Sequence, residues 1–430
     1  MRSILAALQS LSGLLTDDFP ALPGARTLEV FFPLSDAFDP LAWLSGQAVW
    51  PQFYWQQRSG KEEIAALGAV QTFSSLAKAN AFLHTLERDD LRICGVNAFD
   101  PNVGQLFLPR LEWRREAGHA QLRINLWSDT SLRQDAEQAR AWLALLTAHH
   151  ASAELALQQK SETHRPGKEG WCRLIDQATQ AIRDGAFSKV VLARATDLVF
   201  CGAPNASALM AASRRVNFSC YHFYMAFDAQ RTFLGSSPER LWRRRGTALR
   251  TEALAGTVAA HDDAATAKRL GDWLMRDDKN QRENSLVVED ICQRLQGLTH
   301  ALDVLPAEIV RLRKVQHLRR CIQAELNVAD DTRCLLQLQP TAAVAGLPRA
   351  QALDFIDRFE PFTREWYAGS AGYLSRRQSE FCVTLRSAKV EGDTVRLYAG
   401  AGIIDGSDPE QEWQEIENKA AGLRALLFPE

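Results

Sequence analysis

Apolar and polar positions change period many times along this 430-residue chain. At the N-terminus Ile4, Leu8, Leu11 and Leu15 recur at helical spacing, with Gln9, Ser10 and Ser12 between them. That predicts an amphipathic surface helix rather than a signal peptide, and no A-x-A cleavage site follows. "QFYWQQRSGKEEIAALGAV" reads as strand, Ser59-Gly60 turn, strand, and "FLPRLEWRREAGHAQLRINLWSD" repeats the pattern about Ala117-Gly118. "QDAEQARAWLALLTAHHASAELALQQK" is helical over at least its first part. The polar stretch Ser161–Gly170, with Pro166 and two glycines, predicts a linker.

Beyond it, Trp171, Leu174, Ile175, Ala178 and Ile182 mark a helix closed by Gly185. "SKVVLARATDLVF" is a strand and "NASALMAASRRVN" a helix. "CYHFYMAFD", "TFLGSSPERLWRRRG" and "LRTEALAGTVA" are strands. Two helices follow, one over "TAKRLGDWLMRDDKNQRENSLVVEDICQRLQ" and one over "RAQALDFIDRFE". The last hairpin is "SEFCVTLRSAKV-EGD-TVRLYAGAGI". Strands joined mostly by hairpins predict an α+β fold with antiparallel sheets.

Composition narrows the partners. Fifty basic and 52 acidic side chains leave a net charge of −2, without the basic surplus that a nucleic-acid partner requires. No run approaches the ~18 apolar residues of a membrane span. The eight cysteines form no C-x-x-C pair and no zinc spacing, so they read as small buried hydrophobes in a reducing, cytoplasmic compartment.

The candidate chemistry begins with "YAGAGIIDGSDPEQEWQEIENKA", Tyr398–Ala420. Asp408-Pro409 opens a helix whose buried stripe is Trp413, Ile416, Ala420, Leu423 and Leu427. Glu410 and Glu417 fall opposite it, in solvent, while Glu412, Glu415 and Lys419 line its flank. The flank admits two readings. One is a salt-bridged shoulder, with Glu415 and Lys419 an i,i+4 pair. In the other, Glu415 and Glu283, on the edge of the Val287/Val288/Ile291/Leu295 stripe, share a hard divalent cation such as Mg2+. Lys189, in an apolar strand, is either a buried base or a lysine at the strand mouth with its head in water. Glu239, after the tight turn "GSSPE", suits a catalytic acid or an exposed loop carboxylate. Arg386, inside "FCVTLRSA", calls for a carboxylate on the protein or on a ligand. The turn "AGAGI" offers N–H groups to an anion. Arg243–Arg245 and Arg311–Arg320 read as solvated faces.

Taken together, "SKVVLARA", "FLGSSPERL", "TEALAGT", "DDKNQRENSLVVEDI", "LQPTAAVAGLP", "EWYAGSAGYL", "FCVTLRSA" and "YAGAGIIDGSDPEQEWQEIENKA" resemble the chorismate-utilising enzymes, the anthranilate synthase component I-like family. The resemblance runs from about Trp171 to the C-terminus. "PQFYWQQRSG" resembles the isochorismate-forming members that serve menaquinone biosynthesis. It implies one large α+β body of orthogonally packed antiparallel β-sheets with helices outside. Residues 1–165 would be its N-terminal part and 166–430 its chorismate-binding catalytic part. The implied reaction is Mg2+-dependent isomerisation of chorismate, with water added at C2 and the C4 hydroxyl lost. The alternative within the family is a salicylate synthase, which goes on to eliminate pyruvate. Lys189, where anthranilate synthases have glutamine, implies water as nucleophile, and no glutaminase subunit is expected. The resemblance assigns Lys189 as base and Glu239 as acid, Glu283 and Glu415 to the metal, and Thr257, Arg386, Tyr398, Gly402 and Lys419 to substrate. Gln339 departs from the histidine that many relatives carry before "PT", and Glu412 is left without a role.

Overall fold

Short turns at the positions that the sequence marks with glycine reverse the chain repeatedly. At Gly60 (φ 70°) the strand Gln52–Gln56 turns back into Glu62–Phe73. The structure, a computed structural model, describes residues 2–16, 18–32, 38–86, 88–116, 118–147 and 157–428. Every strand pairing among them is antiparallel.

Two long arms of the ladder meet at the strand Gly104–Glu116, which also pairs with His119–Ser128 and through it with Gly24–Phe32. One arm passes through 62–73 and 52–56 to Tyr221–Ala226, Arg231–Ser237, Ser387–Glu391, Thr394–Ile403 and Lys189–Phe200. The other passes through Ile93–Asn97, Ser370–Leu374, Gln378–Val383 and Arg240–Arg245 to Ala248–Ala259 and Val315–Leu326. Strands from before residue 165 thus pair directly with strands from after it. Between the arms lies a core that includes Trp55, Tyr221, Trp242, Tyr373 and Phe381. A second core gathers Trp43, Trp113 and the stripe of the N-terminal helix Arg2–Leu14, and a third packs the helices Lys168–Arg183, Arg349–Phe359 and Pro409–Arg424. No helix among the described residues is long and apolar enough to cross a membrane.

The structure corrects several expectations. Ser161–Gly170 is not a linker. Gln159–Arg165 is an edge strand on 189–200, and the next helix starts at Lys168. Its side chains are all exposed or half-buried, so it lacks the apolar alternation by which a strand is recognised. The predicted long helix after Ala264 is two, Ala264–Leu274 and Asp278–Leu295, because Asp277 caps the second by accepting from Asn280 N–H at 3.0 Å. Residues 299–326 form three strands, so "RLRKVQHLRR" is not a solvated face; Gln316, His317 and Leu318 are buried. "SEFCVTLRSAKV" is two strands broken at Arg386, whose φ is +49°. Glu417 does not face open solvent: it pairs with Arg194, whose guanidinium lies 4.5 Å over the Trp413 ring. The helix predicted from Gln134 is Leu132–Leu143, and residues 148–156 of that stretch lie outside the described residues.

Candidate active site

Strands, helices and the loops that carry Glu239 and Arg386 close on one cavity of about 430 Å3. Its walls hold Lys189, Glu239, Thr257, Glu283, Arg386, Tyr398, Gly402, Glu415 and Lys419, so all nine candidates from the sequence come together. Glu412 and His317 line it too. Gln339 does not; its Nε2 donates to Ala98 O.

Lys189 opens its strand and is 1% exposed, which excludes a head in water; its Nζ lies 3.0 Å from Glu283 Oε1. Glu283 projects from the first turns of the 278–295 helix. Burial pushes its carboxyl up, but Lys189, together with Lys419 and Lys279, outweighs that and holds it below the usual range. The next residue, Asn284, is wholly buried and donates to Ala253 O, Ala255 O and Leu318 O, pinning the helix to the sheet. An asparagine inside the apolar stripe was the sequence signal for that anchor.

Glu239 lies between the strands 231–237 and 240–245 and is 2% exposed. Its Oε1 has no hydrogen-bond partner. Burial, and then the nearby Glu252 charge, push its carboxyl up to about 8, against a smaller opposing pull from Lys189. A carboxyl kept neutral at pH 7 can donate a proton.

Thr257 follows a β-bulge where pairing with 315–326 slips between Leu254 and Thr257. Gly256 makes the bulge possible: its φ is +88°, and a Cβ there would come within 3.2 Å of Asn280. Thr257 Oγ1 lies 3.0 Å from His317 Nδ1, and His317 Nε2 lies 3.4 Å from Arg386 Nη2. A guanidinium only donates, so Nε2 accepts and Nδ1–H donates. The Thr257 hydroxyl hydrogen is left to point at a ligand. Burial, Arg386 and Lys419 push the imidazole down to about 3, which keeps it neutral. Arg386 makes no ion pair among the described residues, which leaves its fork for a ligand carboxylate.

The strand 394–403 supplies the cavity floor. Its edge is covered by 387–391 only as far as Leu397. Val191, opposite Gly402, spends its N–H on Ala345 O (2.8 Å) and its C=O on Arg364 Nη2 (2.7 Å), both away from Gly402. Val191–Gly402 is therefore a non-hydrogen-bonded pair, and the Gly402 N–H points away from the ladder, along the open edge. On that same edge Gly400 O accepts from Lys419 Nζ at 2.8 Å. Gly402 is also a close approach, since a Cβ there would lie 3.1 Å from Lys189 Cε. Tyr398 stacks on Tyr367 with ring centroids 5.0 Å apart, and burial pushes its phenol up, keeping the hydroxyl a donor.

The predicted shoulder exists as well: Glu415 Oε1 is 2.6 Å from Lys419 Nζ. Beside it, burial and the Glu415 charge push Glu412 up to about 7. Among the described residues no three His, Cys, Asp or Glu side chains cluster as a metal site. A hard cation that takes one or two carboxylates and fills its shell with water and substrate oxygens needs no such cluster. The all-oxygen donors Glu283 and Glu415 on one cavity fit that chemistry, and the repulsion between Glu412 and Glu415 is what a cation would relieve.

The family model described as chorismate binding enzyme matches residues 96–428. Isochorismate synthase MenF of Escherichia coli K12 is 63% identical over 428 residues, 99% of each chain. Isochorismate synthase MenF of Haemophilus influenzae is 40% identical over 399 residues, 92% of this chain and 90% of its own. The solved structure of the Escherichia coli menaquinone-specific isochorismate synthase matches with a TM-score of 0.97 at 63% identity, covering 99% of both chains.

Proposed function

The chain belongs to the chorismate-binding enzyme family, and we infer that it is an isochorismate synthase, an isomerase that converts chorismate to isochorismate for menaquinone biosynthesis. The observation that carries the mechanism is a buried amine, Lys189, and a buried carboxyl held neutral, Glu239, on the walls of one cavity.

Water adds at C2 of the ring while the C4 hydroxyl leaves. Lys189 takes a proton from the attacking water, and its ion pair with Glu283 has to open before it can. Glu239 gives its proton to the departing hydroxyl, which leaves as water. Both steps are general acid–base work, and they demand a neutral amine and a neutral acid at one pH. Arg386, the Thr257 hydroxyl, the Tyr398 hydroxyl, the Gly402 N–H and Lys419 hold the substrate carboxylates by charge-assisted hydrogen bonds. Mg2+, held by Glu283 and Glu415, would neutralise carboxylate charge on substrate and protein. Residues 166–430 supply all of these groups, as the catalytic part of one body whose N-terminal part is 1–165. With water as nucleophile no glutaminase subunit is required. Eight free thiols suit a reducing cytoplasm.

The test is product analysis. The purified protein is incubated with chorismate and Mg2+, with and without EDTA, and the products are resolved by chromatography. Isochorismate alone, lost with EDTA, is expected. Salicylate with pyruvate, or no product from folded protein, would overturn the reading.

A further inference from the structure

Arg58 sits at the tip of the hairpin between 52–56 and 62–73. It lies before the matched family region and is not a wall of the cavity. Pairing of 52–56 with 221–226 ends at Gln56 opposite His222, which delivers the hairpin tip beside Tyr221. The Arg58 guanidinium lies 5.6 Å from the centre of that ring. From there Nη1 and Nη2 reach Glu252 Oε1 and Oε2 at 2.6 and 2.8 Å, a bidentate pair. Nη1 also donates to Pro238 O at 3.1 Å. Glu252 Oε1 in turn accepts from Arg240 N–H at 2.8 Å. Pro238 and Arg240 are the two neighbours of Glu239. The remaining carbonyl, Glu239 O, accepts from Val383 N–H at 3.1 Å.

We propose that Arg58, acting with Glu252, is a positioning residue for Glu239: it clamps the backbone on both sides of the acid and so aims its carboxyl at the departing hydroxyl. This deepens the reading above and rests on Glu239 being the acid. The Glu252 side chain is fully buried and that of Arg58 is 14% exposed. A buried ion pair is a weak source of stability, since desolvation offsets its attraction, whereas fixing one geometry is what such pairs do well. The bidentate fork supplies that geometry, and a lysine cannot reproduce it. The clamp also gives the N-terminal part a direct hold on the catalytic part, across 180 residues of sequence from Arg58 to Pro238.

The pair has an electrostatic side. The charges acting on Glu239 are Glu252 from the neighbouring strand and Lys189 across the cavity. Glu252 itself faces Arg58, Arg240 and, at 4.0 Å, Arg319. Removing the Glu252 charge removes the push that raises the acid.

The experiment compares wild type, Arg58→Lys, Arg58→Met/Glu252→Gln and Glu239→Gln, with kcat, KM and the pH profile measured for each. The double variant leaves no unpaired buried charge and should fold. Its kcat should fall about 10- to 100-fold, the scale of a misplaced catalytic group. KM for chorismate should stay within about twofold, since neither residue belongs to the substrate-holding set. The alkaline limb of its kcat profile should move to lower pH. Arg58→Lys, which keeps Glu252 paired, should lower kcat while leaving that limb in place. A double variant or an Arg58→Lys with wild-type kcat, beside an inactive Glu239→Gln, would overturn this proposal alone. An active Glu239→Gln would overturn the acid assignment and this proposal with it.

Discussion

Glu239→Gln should give a protein that is dead and yet more stable. In the folded chain the carboxyl titrates at about 8, against 4.5 for an ordinary glutamate. Between those two values the native state holds a proton that the unfolded state has released. Folding stability therefore falls as pH rises from 4.5 to about 8 and levels off above that. At 1.36 kcal/mol per pH unit, the cost at pH 7 is about 3 kcal/mol and above pH 8 it approaches about 5 kcal/mol. The group is 2% exposed, so solvent screening discounts this little. Glutamine has the same shape and never ionises. Its own buried carbonyl oxygen would go unpaired as Glu239 Oε1 does, so the difference between the two neutral forms is small.

The variant should thus gain about 3 kcal/mol at pH 7, or roughly 3–4 °C in melting temperature for a chain of this length. The gain should shrink toward zero near pH 4.5, where the unfolded glutamate also keeps its proton. Thermal melts of both proteins at half-unit steps from pH 4.5 to 8.5 read this directly, and turnover of chorismate is followed on the same samples. A stability difference that does not vary with pH would refute the claim that the fold holds Glu239 neutral. Full turnover would refute its role as acid.

Three other outcomes follow from the same geometry. Lys189→Ala should lose at least about 100-fold in turnover while still binding chorismate by calorimetry; retained turnover removes it as the base. Gly402→Ala places a methyl 3.1 Å from Lys189 Cε, so kcat should drop about tenfold with unchanged melting, and an unaffected kcat would mean that Lys189 moves freely. Glu283→Gln should be nearly inactive at low Mg2+ and partly rescued at high Mg2+, measured as a shifted metal titration; activity independent of the metal in both proteins would remove Glu283 as a ligand.

The local pattern made Lys189, Glu239, Glu283, Glu415 and Arg386 candidates only beside bland alternatives, and the resemblance to the chorismate-utilising enzymes is what chose between them and gave roles to Thr257, Tyr398, Gly402 and Lys419. Lys189 opens an apolar strand, Glu283 and Glu415 edge helical stripes, and glycines stand where a Cβ cannot. The strand order was not legible, since pairing such as 93–97 with 370–374 joins segments far apart in sequence. Neither was the edge strand 159–165, whose two wet faces leave no alternation to read.

His317 shows why the rest stayed hidden. It lies in "RLRKVQHLRR", where charged residues crowd so closely that the run reads as solvated. In the structure Gln316, His317 and Leu318 are buried in succession, while the half-buried Arg319 and Arg320 reach Glu308 and Asn284. The basic residues are there because carboxylates and amides from other elements meet them, which is tertiary information. The break at Arg386, itself a candidate from the sequence, stayed hidden for the opposite reason. Its neighbours are apolar enough to predict one continuous strand, yet its φ of +49° lies where side-chain-bearing residues rarely sit. That break separates 378–383, which pairs into one arm of the ladder, from 387–391, which pairs into the other. The guanidinium is thus presented to the cavity at the point where the chain crosses between arms. A strained residue at such a crossing is tolerated when its side chain has work there, and a guanidinium with no ion pair among the described residues is suited to a ligand carboxylate. Strain and function coincide at Arg386, so Arg386→Gly should relieve the backbone while abolishing chorismate binding. A variant that is destabilised and still binds would show that the turn was held for its own sake.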